Sequence, residues 1–140
     1  REQKDFARSA RLLEENVALI DTYDSENLLL LANTYNNLGF SYKNLEEYEN
    51  AEVAYKASLE VLEVVFGKSH PNAITNMANL AVVYSIQKKL VLAENIYIER
   101  LNRVKTAYGE NHWRVGQAHT GLGGFYSLNS QYEKSSDSYK

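Results

Sequence analysis

Asn37 and Asn79 are the side chains whose type and spacing point most clearly to a chemical role, and that role is binding. They lie 42 residues apart. An asparagine side chain offers both donors and an acceptor, so it can pair with the backbone of an extended peptide whatever the peptide's sequence. The alternative is that both are solvated polar residues on a helix surface. Gly121 stands one further period along, so a ladder of asparagines would be incomplete.

The other candidate reactive side chains indicate structural roles. His70 and His112 also lie 42 residues apart, and a histidine repeated at a turn is expected to cap or pack a helix. We expect His119 to be a core residue, and the acidic pair Glu46-Glu47 to be solvated. The sequence shows no nucleophile–base constellation, glycine-rich phosphate loop or metal-ligand spacing. We therefore expect no enzyme activity, cofactor or metal within these residues.

Composition excludes several classes of protein. The 140 residues are 44% hydrophobic, enough to bury one core. Fifteen basic and 18 acidic residues give a net charge of −3, too balanced for non-specific binding to nucleic acid or a membrane surface. There is no cysteine, and the longest apolar runs fall far short of the roughly 20 residues that a membrane span needs. We expect a protein partner and a cytoplasmic location.

One pattern recurs at a spacing of 42 residues and must position the candidate side chains. A fixed period of this length indicates stacked supersecondary units, each burying its apolar face against its neighbours. Small residues let paired helices approach closely, and large residues fill the space around them. The equivalent positions are Leu38, Leu80 and Leu122; Tyr42, Tyr84 and Tyr126; Tyr55, Tyr97 and Tyr139; Gly39, Ala81 and Gly123; and Ala51, Ala93 and Ser135.

Within each unit the apolar residues lie three or four apart, which predicts two amphipathic helices joined by a short turn. Gly67 and Gly109 suit positions just past a helix end, and Pro71 suits a first turn. Asp24 or Ser25 can cap the opening helix. The predicted helices are 3–23, 26–43, 46–66, 71–86, 89–108, 113–128 and 131–140. The sequence therefore predicts an all-α fold.

The 42-residue period assigns residues 1–140 to a single array of repeats. Residues 1–25 fit an orphan second helix of a preceding repeat, 26–67 and 68–109 are full repeats, and 110–140 is a truncated repeat. The first helix has no partner before it, and the last is only a few residues long. We therefore expect a piece of a longer array, with flanking repeats of its own chain as neighbours.

The repeat motif resembles the tetratricopeptide repeat, whose usual period is about 34. The longer period, together with the linking segments 67–72 and 109–114 and the run 36–39 (Asn-Asn-Leu-Gly), is similar to the kinesin light chain type. The resemblance covers the whole chain and implies a right-handed α-solenoid of antiparallel helix pairs. The residues that carry it are Tyr35, Leu38, Gly39 and Tyr42; Met77, Leu80, Ala81 and Tyr84; and His119, Leu122, Gly123 and Tyr126.

By this resemblance the first helices of the units line a concave groove. In the kinesin light chain type, asparagine at the position of Asn37 and Asn79 binds the backbone of a peptide. The groove positions are Asn33, Asn36, Asn37, Phe40, Lys43 and Asn44 in the first unit; Thr75, Ala78, Asn79, Val82, Ser85 and Ile86 in the second; and Gln117, Thr120, Gly121, Gly124, Ser127 and Leu128 in the third.

The third unit departs from the family's clamp for a terminal carboxylate. That clamp would need basic residues at 117 and 121, where this chain has glutamine and glycine. Gly121 and Gly124 are expected to leave a bare backbone patch in the groove, against which a bulky ligand residue can press. The alternative is a marginal helix that relies on the next repeat, since each glycine costs roughly 0.5–1 kcal/mol against alanine.

Three functions follow as expectations. The first is a scaffold or adaptor whose groove takes an extended or helical segment of another protein. The second is an architectural subunit docked permanently in a large assembly, and the resemblance adds the cytoskeleton as its setting. The third is the regulatory repeat arm of an enzyme whose catalytic domain lies outside these residues.

Overall fold

The computed structural model describes residues 25–138, which form five α-helices. They are α1 (Ser25–Asn44), α2 (Tyr48–Phe66), α3 (Pro71–Ile86), α4 (Leu90–Tyr108) and α5 (Trp113–Ser138). Each helix packs against the next, and residues 25–138 contain no strand. The all-α prediction and the solenoid of antiparallel helix pairs are confirmed. The predicted helix 3–23 lies outside the described residues.

The turns inside the first two units have the same geometry. Glu46 and Lys88, one period apart, have φ angles of 61° and 64°. The following residue in each case donates its N–H to a tyrosine carbonyl, Glu47 to Tyr42 and Lys89 to Tyr84, both at 2.9 Å. This is the Schellman arrangement that satisfies the last carbonyls of a helix. A non-glycine residue at positive φ costs about 1–2 kcal/mol, so packing must offset it.

The turns between units confirm the capping role expected for the repeated histidines. His70 Nδ1 accepts a hydrogen bond from the Asn72 N–H at 3.1 Å, and His112 Nδ1 accepts one from the Arg114 N–H at the same distance. Each imidazole also packs on the aromatic residue that ends the preceding helix, with ring centroids 4.9 and 4.7 Å apart. Each histidine therefore fixes the start of one helix against the end of another.

The core of the first unit explains why one repeat position must be small. A Cβ on Gly39 would lie 2.7 Å from Cδ1 and Cε1 of Tyr55, and the Tyr55 side chain is only 1% exposed. Ala51 and Ala93, at the second small position, are fully buried. Helices α1 and α2 can therefore pack closely because glycine lets the tyrosine ring lie against the backbone of α1.

Helix α5 contradicts the prediction of two helices in the third unit. It runs without interruption from Trp113 to Ser138, across the turn expected near 129–130. Ser130, the equivalent of Glu46 and Lys88, is helical. In the first two units the energetic cost of the turn at positive φ is offset by the packing of a second helix. The alanine of that helix, at the small repeat position, is buried. Ser135 stands at that alanine position in the third unit, and the helix continues.

Because α5 continues without a turn, several side chains that the repeat pattern predicts to lie in the core are not buried. His119 is exposed, although the sequence analysis placed it inside. Tyr126 is 43% exposed, and Leu122 is only partly buried. A Cβ on Gly123 would meet nothing within 4 Å, so the packing role expected there is wrong. Among the described residues no second helix covers this face, which is why these positions differ from their equivalents.

Helix α5 is instead held on α4 by residues that the repeat motif did not single out. Phe125 is 8% exposed, and its ring centroid lies 5.4 Å from that of Tyr97. Val115 and Ala118 are buried in a cluster with Leu101 of α4. None of the described helices is long and apolar enough to cross a membrane.

Candidate functional site

The predicted groove positions all lie on α1, α3 and α5, and together they are called the first-helix surface. None of them is buried. The more exposed members are Asn33, Asn37, Phe40, Asn44, Thr75, Val82, Ile86, Gln117, Thr120, Gly124, Ser127 and Leu128. The partly exposed members are Asn36, Lys43, Ala78, Asn79, Ser85 and Gly121. Every predicted position is therefore at least partly exposed to solvent.

A side-chain hydrogen bond joins the first helices of neighbouring units. Asn79 Nδ2 on α3 donates to Asn36 Oδ1 on α1 at 3.2 Å. Asn37, which shares the repeat position of Asn79, is instead exposed to solvent. The two equivalent asparagines are thus in different settings. The bond to Asn36 orients the Asn79 side chain and leaves its amide oxygen and its second N–H available to a ligand. That bond does not constrain Asn37.

Apolar side chains form the second component of the first-helix surface. Phe40 is 54% exposed, Val82 is 38% exposed and Ile86 is 41% exposed. Phe40 and Val82 share one repeat position on adjacent helices. Lys43 Nζ lies 5.3 Å from the centre of the Phe40 ring, close enough for a cation–π contact. Exposed apolar residues grouped in this way mark a surface suited to protein contact.

The two glycines of α5 have different surroundings. Gly124 is exposed, and a Cβ there would meet nothing within 4 Å, so the bare backbone expected at this position is present. A Cβ on Gly121 would lie 3.1 Å from Nη1 of Arg100 and 3.5 Å from Cε1 of Tyr97. The expectation of a bare patch is wrong at Gly121, because a guanidinium group from α4 occupies the space beside it.

Arg100 is a site residue that the sequence analysis missed. It is half-buried, its Nε atom is buried without a hydrogen-bond partner, and burial lowers the pKa of its guanidinium. Arginine nevertheless stays charged in proteins. The available signal was the repeat register, since Arg100 stands at the position of Ser58, where a long cationic side chain replaces a small one.

Ion pairs on the second helices join the units on another side of the array. Lys89 Nζ and Lys56 Nζ each lie 2.8 Å from a carboxylate oxygen of Glu52. Burial by itself would raise the pKa of Glu52, but the two lysines outweigh it and hold the pKa below its usual range. Arg103 Nη1 lies 2.6 Å from Glu63 Oε1. The Lys89–Glu52 and Arg103–Glu63 pairs connect α2 with α4 or the turn before it, whereas the Lys56–Glu52 pair lies within α2.

A cleft of about 450 Å³ at the turns beside α2 is part of the same structural network. It is lined by acidic and amide side chains, including Glu49 and Gln87, together with Tyr48 and with Lys89, which pairs with Glu52. Glu46 is exposed as expected, whereas Glu47 is half-buried and accepts a hydrogen bond from Asn50 Nδ2 at 2.7 Å. Among the side chains that the structure describes, residues 26–130, no group of three potential ligands could hold a metal ion.

Comparison with known proteins gives one family match and several relatives. A family model described as tetratricopeptide repeat matches residues 30–106. A clustered mitochondria protein homolog of Debaryomyces hansenii is 26% identical over an alignment that covers 95% of this chain and 10% of the relative. Nephrocystin-3 of Mus musculus is 38% identical over 51% of this chain and 5% of its own length. The chain thus spans a small part of each.

A solved structure supports the fold. The crystal structure of BtubC (BKLC) from P. vanneervenii is similar with a TM-score of 0.68 and 23% sequence identity. The match covers 91% of this chain and 50% of that one. At this identity the likeness establishes the arrangement of helices alone.

Proposed function

The chain belongs to the tetratricopeptide repeat family, and we propose that it is a scaffold or adaptor for another protein. Repeats of this family generally mediate protein–protein interactions. The proposed site is the first-helix surface, lying in the concave groove, and the proposed ligand is an extended or helical segment. The observation that carries the proposal is the row of exposed apolar residues beside asparagine amides on adjacent first helices.

The two components of the surface have separate roles in this proposal. Phe40, Val82 and Ile86 supply apolar area whose burial drives association, about 25 cal/mol for each Å² covered. Asn37 and Asn79 pair with the ligand backbone and fix its direction, each bond contributing about 1 kcal/mol net. The bond between Asn36 and Asn79 holds one of these amides in place before the ligand arrives, which reduces the side-chain entropy lost on binding.

Peptides selected on the intact protein from a random-peptide display library test the proposal. Phe40→Ala should weaken the selected peptides about tenfold, and Asn37→Ala about fivefold, from the apolar and hydrogen-bond terms above. Val64→Ala and Asn95→Ala are the matched controls, because both residues are exposed on second helices. Neither control should change affinity. All four variants should keep stability within about 0.5 kcal/mol, as exposed sites do.

An architectural role is the second candidate, and exposed apolar residues on the second helices favour it. Val64 is 77% exposed, Val91 is 71% exposed and Val53 is 51% exposed. If Val64→Ala weakens the selected peptides and Phe40→Ala does not, docking through the second helices becomes the better proposal.

The remaining proposals concern the whole protein. A regulatory arm attached to a catalytic domain would require sequence outside these residues. A cytoplasmic location is proposed with either role, and association with the cytoskeleton belongs to the architectural candidate. Imaging of the tagged full-length protein tests both.

A further inference from the structure

Arg100 of α4 occupies the repeat position at which the preceding unit has a neutral serine, Ser58, that is hydrogen-bonded on both sides. Ser58 Oγ donates to the Ala32 carbonyl at 2.6 Å and accepts from Asn76 Nδ2 at 2.5 Å. One period later, Arg100 replaces the serine and Ala118 replaces the asparagine. Arg100 is therefore a long cationic side chain in place of a serine, and no asparagine stands at the position from which Asn76 bonds to that serine.

The guanidinium of Arg100 lies beside the first-helix surface. Its Nη1 atom is 3.1 Å from the place that a Cβ on Gly121 would take. Gly121 holds the repeat position of Asn37 and Asn79, so the cation lies next to the point where the other two units present an amide. Glycine at 121 is what leaves room for it. The third unit thus offers a charged donor from α4 instead of a neutral one from its own first helix.

This cation has no anionic partner among the described residues. Arg103, three residues later on the same helix, makes ion pairs with Glu63 at 2.6 Å and Glu99 at 3.1 Å and donates to the Lys68 carbonyl at 3.3 Å. Arg100 makes no such contact with the side chains of residues 26–130, although it is half-buried. A partly desolvated charge is unfavourable until an opposite charge with matching hydrogen bonds approaches it. A planar guanidinium matches a carboxylate, which can accept two parallel hydrogen bonds from it.

We propose that Arg100 is an anion anchor, which binds a carboxylate of the segment that occupies the first-helix surface at the third unit. The inference rests on the proposed scaffold function. The ligand then has apolar residues against Phe40 and Val82 and an acidic group further along, beside Gly121. The carboxylate comes from an aspartate or glutamate side chain or from a chain terminus, because both present the same planar anion.

Selection from a random-peptide display library on the wild-type protein and on Arg100→Gln gives the first test. Peptides selected on the wild type should be enriched in aspartate and glutamate. Changing that acid to its amide should weaken a selected peptide about tenfold or more, the range for hydrogen bonds to charged groups. On Arg100→Gln the acid and the amide should bind alike. If the affinity falls when the peptide's C-terminus is amidated, and not when the acidic side chain is changed to its amide, the carboxylate comes from the chain terminus.

Two further variants separate the role of this cation from general charge and from folding. Lys105→Gln removes the same charge from α4 and should keep the preference for the acid. Gly121→Ala keeps the charge but places a methyl group against Nη1, so it should reduce the preference while the helix itself gains stability. It serves as the test if Arg100→Gln does not fold.

The outcomes distinguish this inference from the function on which it rests. Peptides that depend on Phe40 and Asn37 but show no acidic preference on the wild type would overturn the anchor and leave the scaffold intact. Peptides that ignore Phe40 and Asn37 would overturn the scaffold itself. An acidic preference that survives both Arg100→Gln and Gly121→Ala would assign the anion to another residue.

Discussion

Adding one methyl group at the same repeat position should have opposite effects in two units. Gly39 and Gly123 lie two periods apart on α1 and α5. A Cβ on Gly39 would lie 2.7 Å from two ring carbons of Tyr55 and 2.9 Å from Cγ. A Cβ on Gly123 would meet nothing within 4 Å. The two substitutions have the same chemistry, so the difference between them reports packing alone.

The expected magnitudes follow from two opposing effects. Alanine is better than glycine in a helix interior by about 0.5–1 kcal/mol. At Gly123 this is the whole effect, so Gly123→Ala should stabilise the protein by that amount. At Gly39 the Tyr55 ring is buried and cannot move away without displacing its neighbours. Overpacking costs about 1–3 kcal/mol, and a buried ring at 2.7 Å places this site in the upper part of that range. Gly39→Ala should therefore be destabilising by about 1–2.5 kcal/mol after the helix gain.

Urea unfolding followed by far-ultraviolet circular dichroism measures both changes. The midpoint should fall for Gly39→Ala and rise for Gly123→Ala, with the denaturant slope unchanged, because the surface exposed on unfolding stays the same. A Gly39→Ala protein as stable as the parent would refute the close approach of α1 and α2. Equal losses at both positions would show that a second helix packs on α5 as in the other units.

Three more predictions test the core, the ion pairs and the extent of the array. Leu80→Ala should cost about 2–5 kcal/mol through a core cavity, measured by urea unfolding; a loss below about 1 kcal/mol would contradict the burial of Leu80. The lysines lower the folded pKa of Glu52, so its contribution to stability is full above the ordinary carboxyl pKa, about 4.3, and is lost as the pH falls through the lower folded value. Thermal melts should therefore show Glu52→Gln less stable than the parent at neutral pH, with the gap closing in acid; a gap that persists there would disprove the coupling. Extending the chain into its neighbouring sequence at both ends should raise the melting temperature, and an unchanged value would contradict a longer array.

Those features of the candidate site that recur from unit to unit were predictable from the sequence. The resemblance to the tetratricopeptide repeat placed Asn37, Phe40 and Val82 on one side of successive first helices, and all three are exposed. The register also predicts that Asn37 and Asn79 behave alike. They do not, since Asn79 bonds to Asn36 of the preceding unit. A contact between units depends on side chains from two repeats, and a pattern within one repeat does not contain it.

The sequence by itself determined the helices, their pairing and their capping signals. These depend on local spacing, on glycine at the ends of α2 and α4, and on His70 and His112 at the turns that follow, all of which act within a few residues. Only the tertiary structure decided the course of α5 and the position of Arg100. A turn at positive φ forms where the packing of a second helix exceeds its cost, and a long flexible side chain takes the space that its neighbours leave. Both outcomes are balances of packing energy between distant residues, so the same 42-residue pattern gave a pair of helices in two units and one uninterrupted helix in the third.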